Sequence, residues 1–306
     1  MARKFPAAAW LSAIVLAQSV LGFLYLRKTA VFNAPDEPYH FAYVAFLSRR
    51  GHLPEASGQR LFSEAIQPPL YYLTALPLYR LTQRKALPDC VRALRAQNLL
   101  YAVLNVWLIF MLIRRLCGEK TALLGAAFAA FLPQYLFIGA SVSNDPLANL
   151  LATAALYGGL GILERPDSSR HIVFEGLAIG LGLLAKLTTA CCAAAAIFTY
   201  AWSGRRQTQK TLWRAAAVAV LGALAGGWPL WRNYRLYGDL AGEHAMFRES
   251  AMHWRELGFW SVKLFESFWG LFAWMASPLP RPAYVLLACA TLAARRGIFS
   301  LGARSS

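Results

Sequence analysis

Charge is scarce in this sequence. Asp, Glu, Lys and Arg make up only 15% of its 306 residues, against roughly 25% in soluble domains. Acids are scarcer still, 15 against 31 Lys and Arg, which leaves a net charge of +16. Cysteine is limited to five residues. Cys117, Cys191, Cys192 and Cys289 fall in or beside apolar runs and Cys90 falls in a long loop, so no disulfide framework is implied. No Cys or His spacing suited to a metal occurs, and neither a metal nor another cofactor is expected. Internal repeats, low-complexity linkers and a separate soluble domain are missing too, so residues 1–306 read as one module. What is plentiful is apolar: 58% hydrophobic residues and a mean hydropathy of +0.40. These values exclude an ordinary soluble domain and predict an all-α, polytopic transmembrane bundle. The excess of basic residues lies in short loops between apolar runs and in one long loop, where topology and anionic lipid account for it; nucleic acid is not implied as a partner.

The apolar runs set the expected crossings. The first, Ala7 to Leu26, has roughly the 20 residues a bilayer needs, and Arg3 and Lys4 before it predict a cytoplasmic N-terminus. It resembles a signal peptide, but Arg27-Lys28 follows in place of a cleavage site, so an uncleaved helix is expected. Residues 27–97 then read as a first extracytoplasmic loop, carrying a juxtamembrane helix started by Pro68-Pro69 and running to Leu81. Further runs cover 98–113, 121–139 and 147–163. The run from Ile172 to Ser203 would measure roughly 48 Å as one helix, well beyond the ~30 Å hydrocarbon core. Basic residues flank both its ends, Arg165 and Arg170 before and Arg205, Arg206 and Lys210 after, so it is expected to be a hairpin with Lys186 at its outer tip. Runs at 212–231 and 280–294 bring the count to about eight, with a last extracytoplasmic loop at 232–279. The aromatic residues of 254–274, Trp254 to Trp274, read as an interfacial belt.

The stretch that carries chemistry is Pro35-Asp36-Glu37-Pro38-Tyr39-His40, just beyond the first run. Pro38 suits the first turn of a helix reaching about Arg50, which Asp36 is placed to cap. On that helix Asp36, Glu37 and His40 can share one face. The expected topology gathers these residues on the outer side with Asp145 from Ser143-Asn144-Asp145-Pro146, Lys186 from the hairpin tip, and Arg232 and Arg235 from the last loop. Acids there suit general-base work on a hydroxyl. Cations there suit a phosphate, Arg as a bidentate fork and Lys as a point charge. Blander readings stand beside these: a simple cap at Asp36 or Asp145, and lipid headgroup contacts for the two arginines.

The ordered set of pieces resembles the GT-C superfamily of integral-membrane glycosyltransferases, which includes protein mannosyltransferases and the lipid A aminoarabinose transferase. Asp36-Glu37 and His40 after the first helix, Pro68-Pro69-Leu70-Tyr71-Tyr72, Ser143-Asn144-Asp145, the Gly-rich run ending Leu183-Leu184-Ala185-Lys186, and Trp231-Arg232-Asn233-Tyr234 recur in that order. The spellings around Asp36 and Trp231 look closest to an uncharacterised bacterial branch. The resemblance covers Ala7 to about Leu279. It implies that Asp36 is the catalytic base with Glu37 adjacent, that Asp145 is a second catalytic acid, and that Lys186 lies near a donor phosphate. His40, Gln67, Tyr71, Arg232 and Arg235 are the further substrate-binding candidates; Gln67 stands where many relatives carry His. The implied donor is a polyprenyl-phosphate-linked sugar, the implied acceptor an envelope lipid, glycan or protein, and the implied location the inner (plasma) membrane with an extracytoplasmic site. A transporter or scaffold is the rival, and the end of the chain soon after the eighth run would also fit a truncated or inactive homologue. A transporter should carry polar or Gly/Pro-broken helices at matching places in two halves. Here the acids sit in outer loops and the halves do not match.

Overall fold

The structure, a computed structural model, describes residues 6–56, 64–165, 168–203, 208–242 and 257–302. Arg3, Lys4, Arg205, Arg206 and Trp254, used above to orient the chain or assign the belt, lie outside these residues. The fold is a helical bundle: α1 (Ala7–Lys28), α2 (Glu37–Arg50), α3 (Leu70–Thr82), α4 (Leu87–Cys117), α5 (Glu119–Phe131), α6 (Pro133–Gly139), α7 (Asp145–Glu164), α8 (Ser169–Ala185), α9 (Ala190–Ser203), α10 (Thr208–Gly226), α11 (Trp228–Tyr237), α12 (Leu257–Trp269) and α13 (Arg281–Gly302). A two-stranded antiparallel hairpin, Leu271–Phe272 with Ser277–Pro278, is its one departure from all-α among the described residues. Among those residues α1, α4 and α7 are each long and apolar enough to cross a membrane. The bent pair α5–α6 makes a fourth if it counts as one crossing. The expected total of eight includes the shorter apolar segments within α8 to α10, and α13.

Three boundaries differ from expectation for visible reasons. α4 begins at Leu87, eleven residues before the expected start, because Pro88 sits in its first turn and nothing breaks the chain until Gly118. The first outer loop is correspondingly shorter, and Cys90 lies buried in a helix instead of a loop. The run 121–139 is not one helix. It bends by 62° at Leu132, because Pro133 supplies no N–H to continue the ladder. The run 212–231 likewise divides at Gly227, before Pro229, so Trp231 to Tyr237 are helical in α11 rather than loop.

The expected hairpin is present. Lys186 has extended backbone (φ −160°, ψ 133°), which stops α8, and a single 3-10 turn at Leu187–Thr189 starts α9. α8 runs against α7, since Gly161 faces His171 while Asn144 reaches the Ala185 carbonyl. α9 returns along α7, with Cys192 Sγ 3.9 Å from the Ala152 carbonyl. α8 and α10 approach so closely that a Cβ on Gly226 would stand 2.1 Å from the Gly180 carbonyl oxygen. At the end of the bundle where Asp145 and Lys186 meet, a core of Tyr43, Tyr71, Tyr72, Leu94, Leu147 and Ala185 ties α2 and α3 to α4, α7 and α8. α3 has 13 residues, roughly 20 Å, too short to span the ~30 Å core. It packs on α2 through those tyrosines, which fits a juxtamembrane helix.

Candidate active site

Asp36 precedes α2 with φ 58° and ψ −1°, the left-handed region. Asp tolerates this better than most residues, but side-chain capping wants an extended backbone at that position. The Asp36 carbonyl accepts the N–H groups of Tyr39 and His40 at 3.0 Å each, while its carboxylate makes no capping bond. The expected side-chain cap is therefore corrected, and Asp36 remains an exposed residue with its carboxylate uncommitted. Burial of its surroundings raises its pKa, with Asp145 adding to the rise and Lys186 opposing it.

The single face expected of Asp36, Glu37 and His40 is divided. Glu37 is fully buried and forms a bidentate pair with Arg95 of α4, Nε to Oε1 at 2.7 Å and Nη2 to Oε2 at 2.6 Å. Its Oε1 also accepts the Val142 N–H at 2.9 Å. The same guanidinium donates to the carbonyls of Leu26, Thr29 and Ala30, so this pair joins α1, α2, α4 and the segment before α7. His40 is buried too, with Nδ1 2.9 Å from the Tyr72 hydroxyl. Burial pushes its pKa down to about 4, so it is neutral at pH 7. Tyr72 in turn stacks on Tyr43 at 3.5 Å.

The start of α7 meets the hairpin tip. Lys186 Nζ donates to Asp145 Oδ1 at 2.5 Å, and the Ser143 hydroxyl donates to Asp145 Oδ2 at 3.0 Å. Asn144, fully buried, donates to Gln67 Oε1 and to the Ala185 carbonyl, both at 3.2 Å. Gln67 is thereby tied to the cluster. Asp145 also lies on the wall of a cavity of about 400 Å³ that runs along Asn149, Tyr135, Ile138 and Gln134. Tyr71 is wholly buried, its hydroxyl 3.3 Å from Asn98 Nδ2; that amide also donates to the carbonyls of Ser141 and Ser143, at 2.6 and 2.7 Å.

The two arginines stand apart from this arrangement. Arg232 donates to the carbonyls of Pro54 at 2.5 Å and Ala65 at 3.2 Å. Arg235 is exposed and lies over the Trp231 ring at 5.7 Å.

The structure also brings in residues that sequence reasoning missed. Arg95 and Asn98 hold the floor of the site from α4; their spacing of three, which puts both on one helical face, was the available signal. Glu64 sits in a 3-10 turn, hydrogen-bonded to the Gln67 side chain. Desolvation, with Asp36 the next cause, pushes its pKa up to about 7. Its spacing of three from Gln67 was the signal there. An exposed carboxylate, a second acid sharing a lysine, a third acid near neutrality and a neutral imidazole suit proton transfer beside an anion.

A family profile described as dolichyl-phosphate-mannose-protein mannosyltransferase matches residues 68–231, just over half of the chain. No curated protein matches the sequence. Among solved structures, the fold is similar to the S. cerevisiae protein O-mannosyltransferase Pmt1-Pmt2 complex bound to the sugar donor, with a TM-score of 0.58 and 15% identity over 78% of this chain and 35% of that one. It is also similar to ArnT from Cupriavidus metallidurans in the apo state, with a TM-score of 0.61 and 16% identity over 86% of this chain and 48% of that one. At these identities the likeness is one of fold, and this chain spans half or less of the length of both structures.

Proposed function

The chain belongs to the dolichyl-phosphate-mannose-protein mannosyltransferase family, and from that premise we propose that it is a membrane glycosyltransferase drawing its sugar from a polyprenyl-phosphate donor. The acceptor is a hydroxyl of an envelope lipid, glycan or protein on the outer side of the inner membrane. The observation that carries this reading is the meeting of Lys186 with Asp145, beside an exposed Asp36 whose carboxylate has no capping duty. In the proposed step the acceptor oxygen attacks the anomeric carbon and the bond to the donor phosphate breaks. The acceptor proton passes to Asp36. The leaving electron pair goes to the phosphate oxygen, where Lys186 offsets the growing charge.

The other candidates take supporting parts. Asp145 holds Lys186 in the empty site and shares it when phosphate arrives. Gln67 and the neutral His40 provide hydrogen-bonding groups without adding charge, and Tyr71 props the segment before α7 through Asn98. Glu37 acts through position, because its carboxylate is occupied by Arg95 and Val142. Arg235, exposed on α11, meets lipid headgroups. Displacement at an activated lipid phosphate calls for no redox cofactor. The N-terminus lies in the cytoplasm and the cluster faces away from it.

The test is transfer of label from a radiolabelled polyprenyl-phosphate hexose to washed membranes by purified protein in nanodiscs. Asp36→Asn should lower the rate by roughly 10² to 10⁴ while the protein stays folded. Equal transfer by wild type and Asp36→Asn refutes the assignment of the base.

A further inference from the structure

α11 carries a dense basic and aromatic sequence, Trp228 to Tyr237, but its inward-facing polar groups are not spent on the carboxylates. They are spent on backbone. Arg232 Nη1 and Nη2 take the carbonyls of Ala65 and Pro54. Asn233, fully buried, donates to the carbonyls of Ile66 at 3.1 Å and Ala241 at 3.3 Å. The Tyr237 hydroxyl accepts the Ala56 N–H at 2.9 Å. After α11 the chain folds back at Gly242, whose φ of +77° suits glycine and whose Cα lies against Ile66: an added Cβ would stand 2.8 Å from the Ile66 side chain. Thus four hydrogen bonds and one close packing contact fall on two short stretches, 54–56 and 65–66. The second stretch lies between Glu64 and Gln67.

Glu64 and Gln67 are the two side chains that this turn adds to the site. Gln67 accepts from Asn144, next to Asp145. Glu64 bonds to Gln67 and feels Asp36, Lys186 and Asp145. Among the described residues, the turn has little holding of its own. It is a single turn of 3-10 helix closed by one backbone bond from Gln67 N–H to the Glu64 carbonyl at 2.9 Å, and such turns are short and geometrically poor. A guanidinium fork suits two carbonyls from separated stretches, because its donors point in fixed, divergent directions.

We propose that Arg232 and Asn233 are positioning residues: α11 grips the turn 64–67 through the carbonyls of Ala65 and Ile66 and holds Glu64 and Gln67 against Asp36, Asp145 and Lys186, so that Arg232 serves the site through Glu64 and not as a phosphate ligand. The inference rests on the reading of that cluster as the transfer site.

The test uses the full chain in nanodiscs and needs no acceptor. The infrared carboxylic-acid band that Glu64→Gln removes reports the protonation of Glu64. Asp36, Asp145, Lys186 and the Gln67 amide face this group, and in the wild type it should titrate near pH 7. In Arg232→Gln the turn is released towards water, and the midpoint should fall by at least about one unit toward the ordinary carboxylate range. Arg232→Lys, which keeps the charge but cannot fork onto both carbonyls, should shift it in the same direction by less, and it serves if Arg232→Gln does not fold. Binding of polyprenyl phosphate, measured in parallel, should stay within about two-fold of wild type in both, whereas loss of a charged hydrogen bond to phosphate would weaken it by about ten-fold or more. An unchanged midpoint in every folded variant overturns the proposal. So does a ten-fold weaker phosphate affinity in Arg232→Gln with the midpoint in place. A wild type that binds no polyprenyl phosphate, while the midpoint shift occurs, removes the donor reading and leaves the positioning role standing.

Discussion

Replacing Glu37 by Gln separates two roles that adjacent carboxylates can confuse. The Glu37 and Arg95 side chains are 0% and 1% exposed, so neither can recover solvation when the other is neutralised. Breaking a buried pair of this kind costs roughly 3–5 kcal/mol. The amide keeps one carbonyl oxygen, which can still accept the Val142 N–H, but it sets an NH₂ group against a guanidinium that has only donors. Arg95 retains its three carbonyl partners, which favours the lower part of that range. At roughly 2–4 °C per kcal/mol, melting should fall by about 6–12 °C. Asp36→Asn removes no hydrogen bond, so melting should stay within roughly 0.5 kcal/mol of wild type, while transfer collapses. Thermal unfolding in detergent by intrinsic fluorescence, run beside the transfer assay, reads both. If Glu37→Gln melts like wild type and abolishes transfer while Asp36→Asn retains transfer, then Glu37 is the base and the structural role given to its pair with Arg95 is wrong.

Lys186→Met keeps length and loses charge, so it should weaken binding of polyprenyl phosphate by about ten-fold or more, with Lys186→Arg intermediate because a fork meets the phosphate in altered geometry; equal affinities in a titration would remove Lys186 from the donor site. His40 should make the protein acid-sensitive. Its pKa is near 6.5 unfolded and about 4 folded, so between these values the unfolded chain binds the extra proton and stability falls as pH drops, by up to roughly 3 kcal/mol. His40→Gln should flatten the difference in melting between pH 7 and pH 4.5, and an unaltered difference would assign the acid sensitivity elsewhere. Gly226→Ala forces a methyl group onto the Gly180 backbone and should cost roughly 1–3 kcal/mol, visible as a lower melting temperature. A variant as stable as wild type would mean that α8 and α10 pack less closely than described.

Much of the arrangement was legible in the chain, and the parts that were not share a cause. Counting crossings from charge and length placed Lys186 at a hairpin tip opposite Asp145, and the two side chains do meet. That argument works because the hydrocarbon thickness is a fixed length and a lysine in mid-membrane is costly. Helix boundaries depend on local detail that hydropathy ignores. Pro133 was in plain view inside an apolar run and bends it. Residues 87–97, broken up by Asp89, Arg92 and Arg95, read as loop, yet they begin α4, because a helix does not end where a continuous apolar run ends. Arg95 was hidden by that misplaced boundary. Arg232 shows a different blindness: a cation among aromatics looks the same in sequence whether it faces phosphate or two carbonyls, and only the placement of Pro54 and Ala65 decides between them. Glu64 was passed over because it begins no run and sits in no motif, while its environment is assembled from Asp36, Asp145 and Lys186, all far from it in sequence.

The continuity of α4 through Arg95 makes it a measuring rod. From Arg95 to Arg114 the helix axis rises roughly 28 Å at 1.5 Å per residue, close to the ~30 Å hydrocarbon depth. One end of the rod is fixed by the exposed Arg114 and by Arg115 in its pair with Glu164, the other by the buried pair that carries Glu37. In the proposed topology this rigid spacer holds the carboxylates of the site at one bilayer boundary. A thicker bilayer would draw Asp36 and Lys186 into acyl chains, where charge is penalised; a thinner one would lift them clear of the level at which a lipid-borne phosphate travels. On the proposed function, transfer should therefore depend on lipid acyl-chain length, with an optimum set by the stretch of α4 from Arg95 to Arg114.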